Sequence, residues 1–275
     1  FAYLQNIISN DLNKVTDNQS CFSYLLTPQG KYLFEFIITK HKKGYFLECE
    51  KKIIDELFIK LNSYKFRSKV EILNLSNEFV VAVLSREKFL TLENSKDVLG
   101  YTTKFREDPI YLDPRHKDLG ARLITNLEKL HLSLKLLELK SSNLDEYYSV
   151  SNKLGIPQTN TDKLQNNLFG IECNLNELNG IDFKKGCYVG QENTARIKLK
   201  DKLSKRLFPV EVIEGDLSKD NIIHHENTEL GKVLINDRFP FAIVKFKDKN
   251  FKFEKIFKCG SASVKIKKPY WFKFD

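Results

Sequence analysis

A chain of 275 residues with 41% hydrophobic and 29% charged residues can bury a sizeable core, and its length suggests about two domains. The composition excludes a disordered, collagen-like or coiled-coil chain, and the longest apolar run, residues 79–84, is six residues against the ~20 that span a bilayer. The net charge of +9 comes from 37 lysines and eight arginines with no block of five consecutive basic residues, which reads as compositional bias rather than as a nucleic-acid surface.

In chain order, residues 1–15 read as a helix with Leu4, Ile7, Ile8 and Leu12 on one face. Residues 21–26 and 31–38 read as strands joined by the turn Thr27-Pro28-Gln29-Gly30, and residues 45–49 as a third strand. Residues 51–61 place Ile53, Ile54, Leu57, Phe58 and Leu61 at a helical period. Residues 69–75 and 78–84 read as two more strands, joined at Ser76-Asn77. A strand follows at Ile110 and another over residues 119–124, then a helix over 144–154 that stops at Gly155-Ile156-Pro157 and a polar surface loop over 158–167. From Leu203 the pattern changes to short strands only, over 206–213, 231–235, 241–246, 255–258 and 261–267. The expected class is α+β with a small C-terminal β-barrel or sandwich.

Five cysteines, odd in number and widely spaced with no C-x-x-C, argue against a disulfide framework or a zinc site. A reducing compartment follows, and the cytoplasm is the expectation. Residues 1–10 show no basic stretch followed by an apolar one. His224-His225-Glu226 reads as a solvated loop rather than a metal site. The most informative stretch is Lys184-Lys185-Gly186-Cys187-Tyr188-Val189-Gly190-Gln191-Glu192, in which two glycines four apart flank a cysteine that follows two lysines. On spacing alone, Cys187 reads as a small structural residue ahead of a reactive thiol.

Residues 185–192 resemble the K-G-C-[FY]-x-G-Q-E signature of the YgfZ family, relatives of the glycine-cleavage aminomethyltransferase. Residues 1–11 are similar to that family's opening helix. Leu26-Thr27-Pro28-Gln29-Gly30-Lys31 is similar to its L-T-P-Q-G-[RK] turn, and Asp113-Pro114-Arg115 with Leu119-Gly120-Ala121-Arg122 to its D-P-R-x-x-x-L-G-x-R. The anchors run in order over roughly residues 1–210. Departures from the family pattern occur at Ser151, Gln158 and Asn193-Thr194 and in the missing proline before Glu172.

The resemblance implies two interleaved α+β subdomains over residues 1–202, with about 31–103 as an inserted one, followed by a β-barrel over 203–275. It implies a tetrahydrofolate-binding monomer that supports assembly or repair of iron–sulfur enzymes, some of them tRNA-modifying, with iron–sulfur clients as partners and no membrane or specific nucleic-acid partner. A folate-dependent aminomethyltransferase and an RNA-binding module are the alternatives. A reduced pterin presents adjacent N–H donors that a carboxylate accepts, for which Asp113 and Glu172 are candidates. The folate carboxylates want cations, for which Arg115, Arg122, Lys185 and Arg196 are candidates. Tyr188 and Phe183 would supply walls and Gln191 a polar contact. The resemblance gives Cys187 the role of functional thiol.

Overall fold

The computed structural model describes residues 1–200, 202–217 and 221–273. Helix α1 (Ala2–Ile7) is followed by strands β1 (Cys21–Leu26), β2 (Tyr32–His41) and β3 (Gly44–Glu48), helix α2 (Ile54–Lys65), strand β4 (Phe79–Leu84) and helix α3 (Arg86–Leu90). Strands β5 (Thr102–Phe105), β6 (Asp108–Leu112) and β7 (Ala121–Asn126) lead into helices α4 (Leu127–Leu136), α5 (Leu144–Lys153) and α6 (Gln191–Leu199). The remaining strands are β8 (Arg206–Glu214), β9 (Ile222–His225), β10 (Thr228–Ile235), β11 (Phe241–Val244), β12 (Ile256–Cys259) and β13 (Ala262–Ile266). They build an antiparallel three-stranded sheet, β1-β2-β3, a four-stranded sheet, β4-β7-β6-β5, and a closed barrel, β10-β11-β8-β13-β12-β9. The α+β class and the barrel are as the sequence leads one to expect. The expected barrel domain also contains residues 218–220 and 274–275, which lie outside the described residues.

Several local expectations change. The opening helix stops at Ile7 because Ser9 and Asn10 spend their side chains on tertiary partners: Ser9 Oγ donates to Gly180 O at 2.6 Å, and Asn10 Nδ2 to Phe22 O at 2.7 Å and Asn179 O at 2.8 Å. Residues 69–75 belong to no strand. The loop over 158–167 is not purely a surface feature, since Thr161 and Leu164 are buried and Glu50 accepts from Asn160 N and the Thr161 hydroxyl. His224 and His225 lie in β9 rather than in a loop, and among the described residues no group of side chains could hold a metal. Residues 31–103 contribute strands to both sheets, each shared with flanking chain. No described helix is long and apolar enough to cross a membrane.

One core runs from the first sheet into the barrel, with Phe22, Tyr24, Tyr32 and Tyr111 packed in the same cluster as Leu207, Ile235 and Phe241. The barrel has its own aromatic interior centred on Phe208, whose ring lies 5.0 Å from Phe272 and 5.3 Å from Phe253. Polar ties cross the same boundary: Asn174 Nδ2 donates to Leu207 O at 2.8 Å, Trp271 Nε1 to Leu154 O at 3.0 Å, and Arg206 pairs with Glu177 at 2.7 Å.

The two turns of the sequence pattern touch. Gly190 has φ 86°, and a Cβ there would lie 2.5 Å from Thr27 O and 3.1 Å from Gly30 Cα, whereas a Cβ on Gly186 would meet nothing within 4 Å. The second signature glycine is therefore required by the close approach of the Thr27–Gly30 turn, and the first is not. Gly190→Ala is expected to cost about 3 kcal/mol or more in denaturant unfolding, against ~0.5 kcal/mol or less for Gly186→Ala. Equal midpoints for the two variants would refute this packing argument.

Candidate functional site

Between the two sheets lies a cavity of about 1150 Å³, walled by β2, β3, β4, α2 and the loop after α5. Its polar floor is a chain of buried charged groups. Asp113, fully buried, accepts from Arg115 Nε at 3.0 Å, Arg115 Nη2 at 2.7 Å and the Arg115 backbone N–H at 2.9 Å. Arg122 on β7 donates from Nε to Glu48 at 2.7 Å and from Nη1 to the Tyr147 hydroxyl at 2.7 Å, with Asp113 3.6 Å away. Tyr111 also donates to Glu48. The Gln158 amide lies 2.9 Å from Arg115 Nη1, and the hydrogen-bonding around it assigns its oxygen to that side as the acceptor. Burial alone would raise the Asp113 carboxyl, but the Arg115 guanidinium outweighs it and holds the group below the usual carboxylate range.

Glu35 is the exception in this network. It lines the cavity, and among the described residues its carboxylate has no hydrogen-bond partner. Burial pushes it up to about 7, against the opposing pull of Arg115 and with a further push from Glu50 and Asp113. It is thus an acid that changes charge near neutral pH with its oxygens free for a ligand. The same cavity wall carries Phe22, Phe46, Tyr147 and Tyr148, with Lys43 and Lys51. This is a surface suited to a flat, N–H-bearing ring with an anionic extension.

The residues named from the sequence divide into two groups. Arg115 and Arg122 line the cavity, with Asp113 behind them. Glu172, Lys185, Cys187, Tyr188, Gln191 and Arg196 are not part of its lining. Glu172 accepts the Phe169 backbone N–H at 2.8 Å across its own short 3₁₀ turn, and burial raises its pKa. Lys185 turns inward and donates to Gln5 O at 2.7 Å, Ile8 O at 2.7 Å and Asn10 O at 2.8 Å, capping the carbonyl end of α1. Burial draws its ammonium down to about 8. Tyr188 is a core residue under that ammonium, its ring centroid 5.1 Å from Nζ. Gln191 opens α6. Arg196 bonds Asn193 Oδ1 at 2.6 Å beside a separate small pocket of about 340 Å³. Cys187 is exposed.

Sequence reasoning missed Glu35, Glu48, Glu50 and Tyr147 as site residues. A signal existed: Glu35 is the one charge within the apolar run 32–38, and Glu48 and Glu50 sit two apart at the end of a strand.

No protein-family model matches the chain. It is 28% identical over 248 residues to the iron–sulfur cluster assembly factor IBA57 homolog, mitochondrial, of Dictyostelium discoideum, covering 80% of this chain and 60% of that protein. It is 30% identical over 212 residues to the iron–sulfur cluster assembly factor IBA57, mitochondrial, of Mus musculus, covering 74% and 56%. The homologues are iron–sulfur cluster assembly factors. The chain spans a little more than half the length of these two relatives. The solved glycine cleavage system aminomethyltransferase T of Bartonella henselae superposes with a TM-score of 0.75 at 13% identity, over 98% of this chain and 81% of that one. The fold is aminomethyltransferase-like.

One expectation falls here. The relatives are named as mitochondrial, which overturns the cytoplasmic reading. Cysteine usage reports a reducing compartment and does not distinguish one such compartment from another.

Two measurements test the site. Below pH ~4.5 Glu35 is protonated folded and unfolded, and it contributes nothing to the pH dependence of stability. As pH rises to about 7 the unfolded chain gives up its proton first, so stability falls, by about 3 kcal/mol at full ionisation. Glu35→Gln should remove that fall and be the more stable protein at pH 8; a variant whose stability tracks the parent from pH 4 to 8 would contradict the assignment. In thiol labelling, exposed Cys187 should react first, because burial pushes Cys21 and Cys49 up to about 12 and Cys173 well above its usual value. Faster labelling of any of those three would contradict the burial.

Proposed function

We propose that this protein binds a reduced folate, tetrahydrofolate or a close derivative, in the cavity between its sheets, and that it supports assembly or repair of iron–sulfur enzymes in mitochondria. The observation that carries the ligand is Glu35, a partnerless carboxyl in an aromatic-walled cavity large enough for a pterin and its aryl tail. The residues present fit that group. Glu35 would accept from the adjacent N–H donors of the pterin edge, Tyr147 and Phe46 would flank the rings, and Lys43, at the far end of β3 from Glu35, would meet a tail carboxylate. Arg115 and Arg122 contribute cationic surface, held in place by Asp113 and Glu48. A bound reduced folate would supply one-carbon chemistry at its N5 and N10 nitrogens.

The likeness to iron–sulfur cluster assembly factors supports the second half of the reading, with iron–sulfur proteins as clients. In this reading residues 1–202 hold the ligand, the barrel from 203 braces them, and Cys187 on the outer surface is the thiol available to a client. Glu172, Lys185, Tyr188, Gln191 and Arg196 then serve the framework that carries Cys187.

The test is calorimetric titration with tetrahydrofolate. The parent protein should saturate, and Glu35→Ala should bind roughly 10- to 150-fold more weakly, the loss of one charge-assisted hydrogen bond worth about 1.5–3 kcal/mol. Glu172→Ala should bind like the parent. Absence of saturable heat with any reduced folate would overturn the proposal.

A further inference from the structure

Residues 69–75, Lys-Val-Glu-Ile-Leu-Asn-Leu, carry a strand's residues and belong to no strand. Among the described residues their backbone makes few bonds. Val70 N donates to Ser68 O at 2.9 Å, and Leu75 O accepts from Glu78 and Phe79, both at 3.0 Å. A segment outside helix and sheet with so many unspent N–H and C=O groups is costly unless water or a neighbouring edge satisfies them. Two edges are at hand. β3 ends the first sheet and β4 ends the second, and residues of both edges line the same cavity as residues 69–75.

The connection to β4 is already shaped as a hairpin. The Phe79 N–H to Leu75 O bond reverses the chain over residues 76–78. Continuing that antiparallel register outward sets Ile72 opposite Ala82, Leu73 opposite Val81 and Glu71 opposite Val83. Because ladder bonds alternate, Val81 and Val83 turn their backbone groups to the same free side as Phe79. The side chains agree. Phe79 packs on Phe46 with ring centroids 5.1 Å apart in the cavity wall, and Val81 and Val83 share its face of the strand, 38% and 39% exposed. Leu73 is 62% exposed, and the pairing would lay it beside Val81. Before the other end of the segment, Phe66, 86% exposed, closes α2 with φ 41° and ψ −110°, a conformation that L-residues rarely hold and that a change of backbone course there would relieve. Ile72 meanwhile packs against the cluster formed by α2 and the first sheet, which keeps the segment off the β4 edge.

We propose that residues 69–75 are a movable fifth strand of the β4-β7-β6-β5 sheet, which zips onto the β4 edge in the Leu73–Val81 register and closes the cavity over its ligand. The identity of that ligand rests on the folate reading, and the strand pairing does not. Open, Ile72 is spent on the first sheet; closed, the segment completes a ladder and Leu73 joins Val81 and Val83 on the cavity face.

The experiment uses two double-cysteine variants. Ile72→Cys/Ala82→Cys is a non-hydrogen-bonded pair in this register, with the Cβ separation that a disulfide accepts. Ile72→Cys/Val81→Cys is one residue out of register, with its side chains on opposite faces. Under a glutathione redox buffer, peptide mapping should find the first bridge and not the second. Hydrogen exchange of amides 70–74 in the parent protein should slow about tenfold or more with saturating tetrahydrofolate. Equal bridging of both pairs, or of neither, overturns the strand. Unchanged exchange in protein that calorimetry shows to be loaded overturns the closure. Protein that takes up no tetrahydrofolate refutes the folate reading alone, and the bridging result still decides the strand.

Discussion

The Arg122–Glu48 pair joins the two sheets of the α+β region. Arg122 comes from β7 in the four-stranded sheet and Glu48 from the end of β3 in the three-stranded one, and Tyr111 and Tyr147 tie into the same pair. Both charges are largely withdrawn from water, so the network stands only because each member is met by several partners. Loss of one partner from such a pair typically costs about 3–5 kcal/mol, since the other charge is left buried alone. The pairing also decides where a cavity can exist: it fixes the sheets at the floor and leaves them apart above it. The free carboxyl of Glu35 lies in that opening.

The signature stretch has a different task from the one its thiol invites. Its lysine serves the carbonyl end of the first helix, its tyrosine serves the core, and its second glycine lets the strand-connecting turn at Thr27–Gly30 come within contact. These constraints act on the backbone on both sides of Cys187 and hold it at the surface while residues 185, 188 and 190 are fixed. A rigid mount for an exposed thiol is a different device from a thiol in a ligand pocket, and it makes the cavity and Cys187 two separate surfaces of one protein.

The homologues and the fold likeness bear on different parts of this picture. The iron–sulfur assembly factors share sequence over about three quarters of the chain, and the aminomethyltransferase shares its shape at 13% identity. Shape at that identity carries the two sheets and the barrel, and it leaves the chemistry to the side chains in the cavity.

Much of the architecture was legible in the sequence. The turn at Thr27–Gly30 marked the β1–β2 hairpin, a six-residue apolar run marked β4, the 3.6-residue period marked α2, Gly155 and Pro157 marked the end of α5, and the change of pattern at Leu203 marked the barrel. Asp113, Arg115 and Arg122 were legible as a group because two charged motifs lie within ten residues of each other. Local pattern could not place Glu172, Lys185 or Arg196, since a charged side chain spends itself on whatever the fold brings near it: a turn's own N–H, a helix end, a neighbouring amide. Nor could it give Glu35 its role, which depends on burial beside Arg115 and on the absence of a partner, both products of sheet packing across residues 35 to 115. The sequence by itself determined the α+β class, the terminal barrel and most of the strands that build them. Tertiary structure alone decided which of the described charges at the cavity floor are paired and that Glu35 is left without a partner there, because pairing is set by distances between segments remote in the chain.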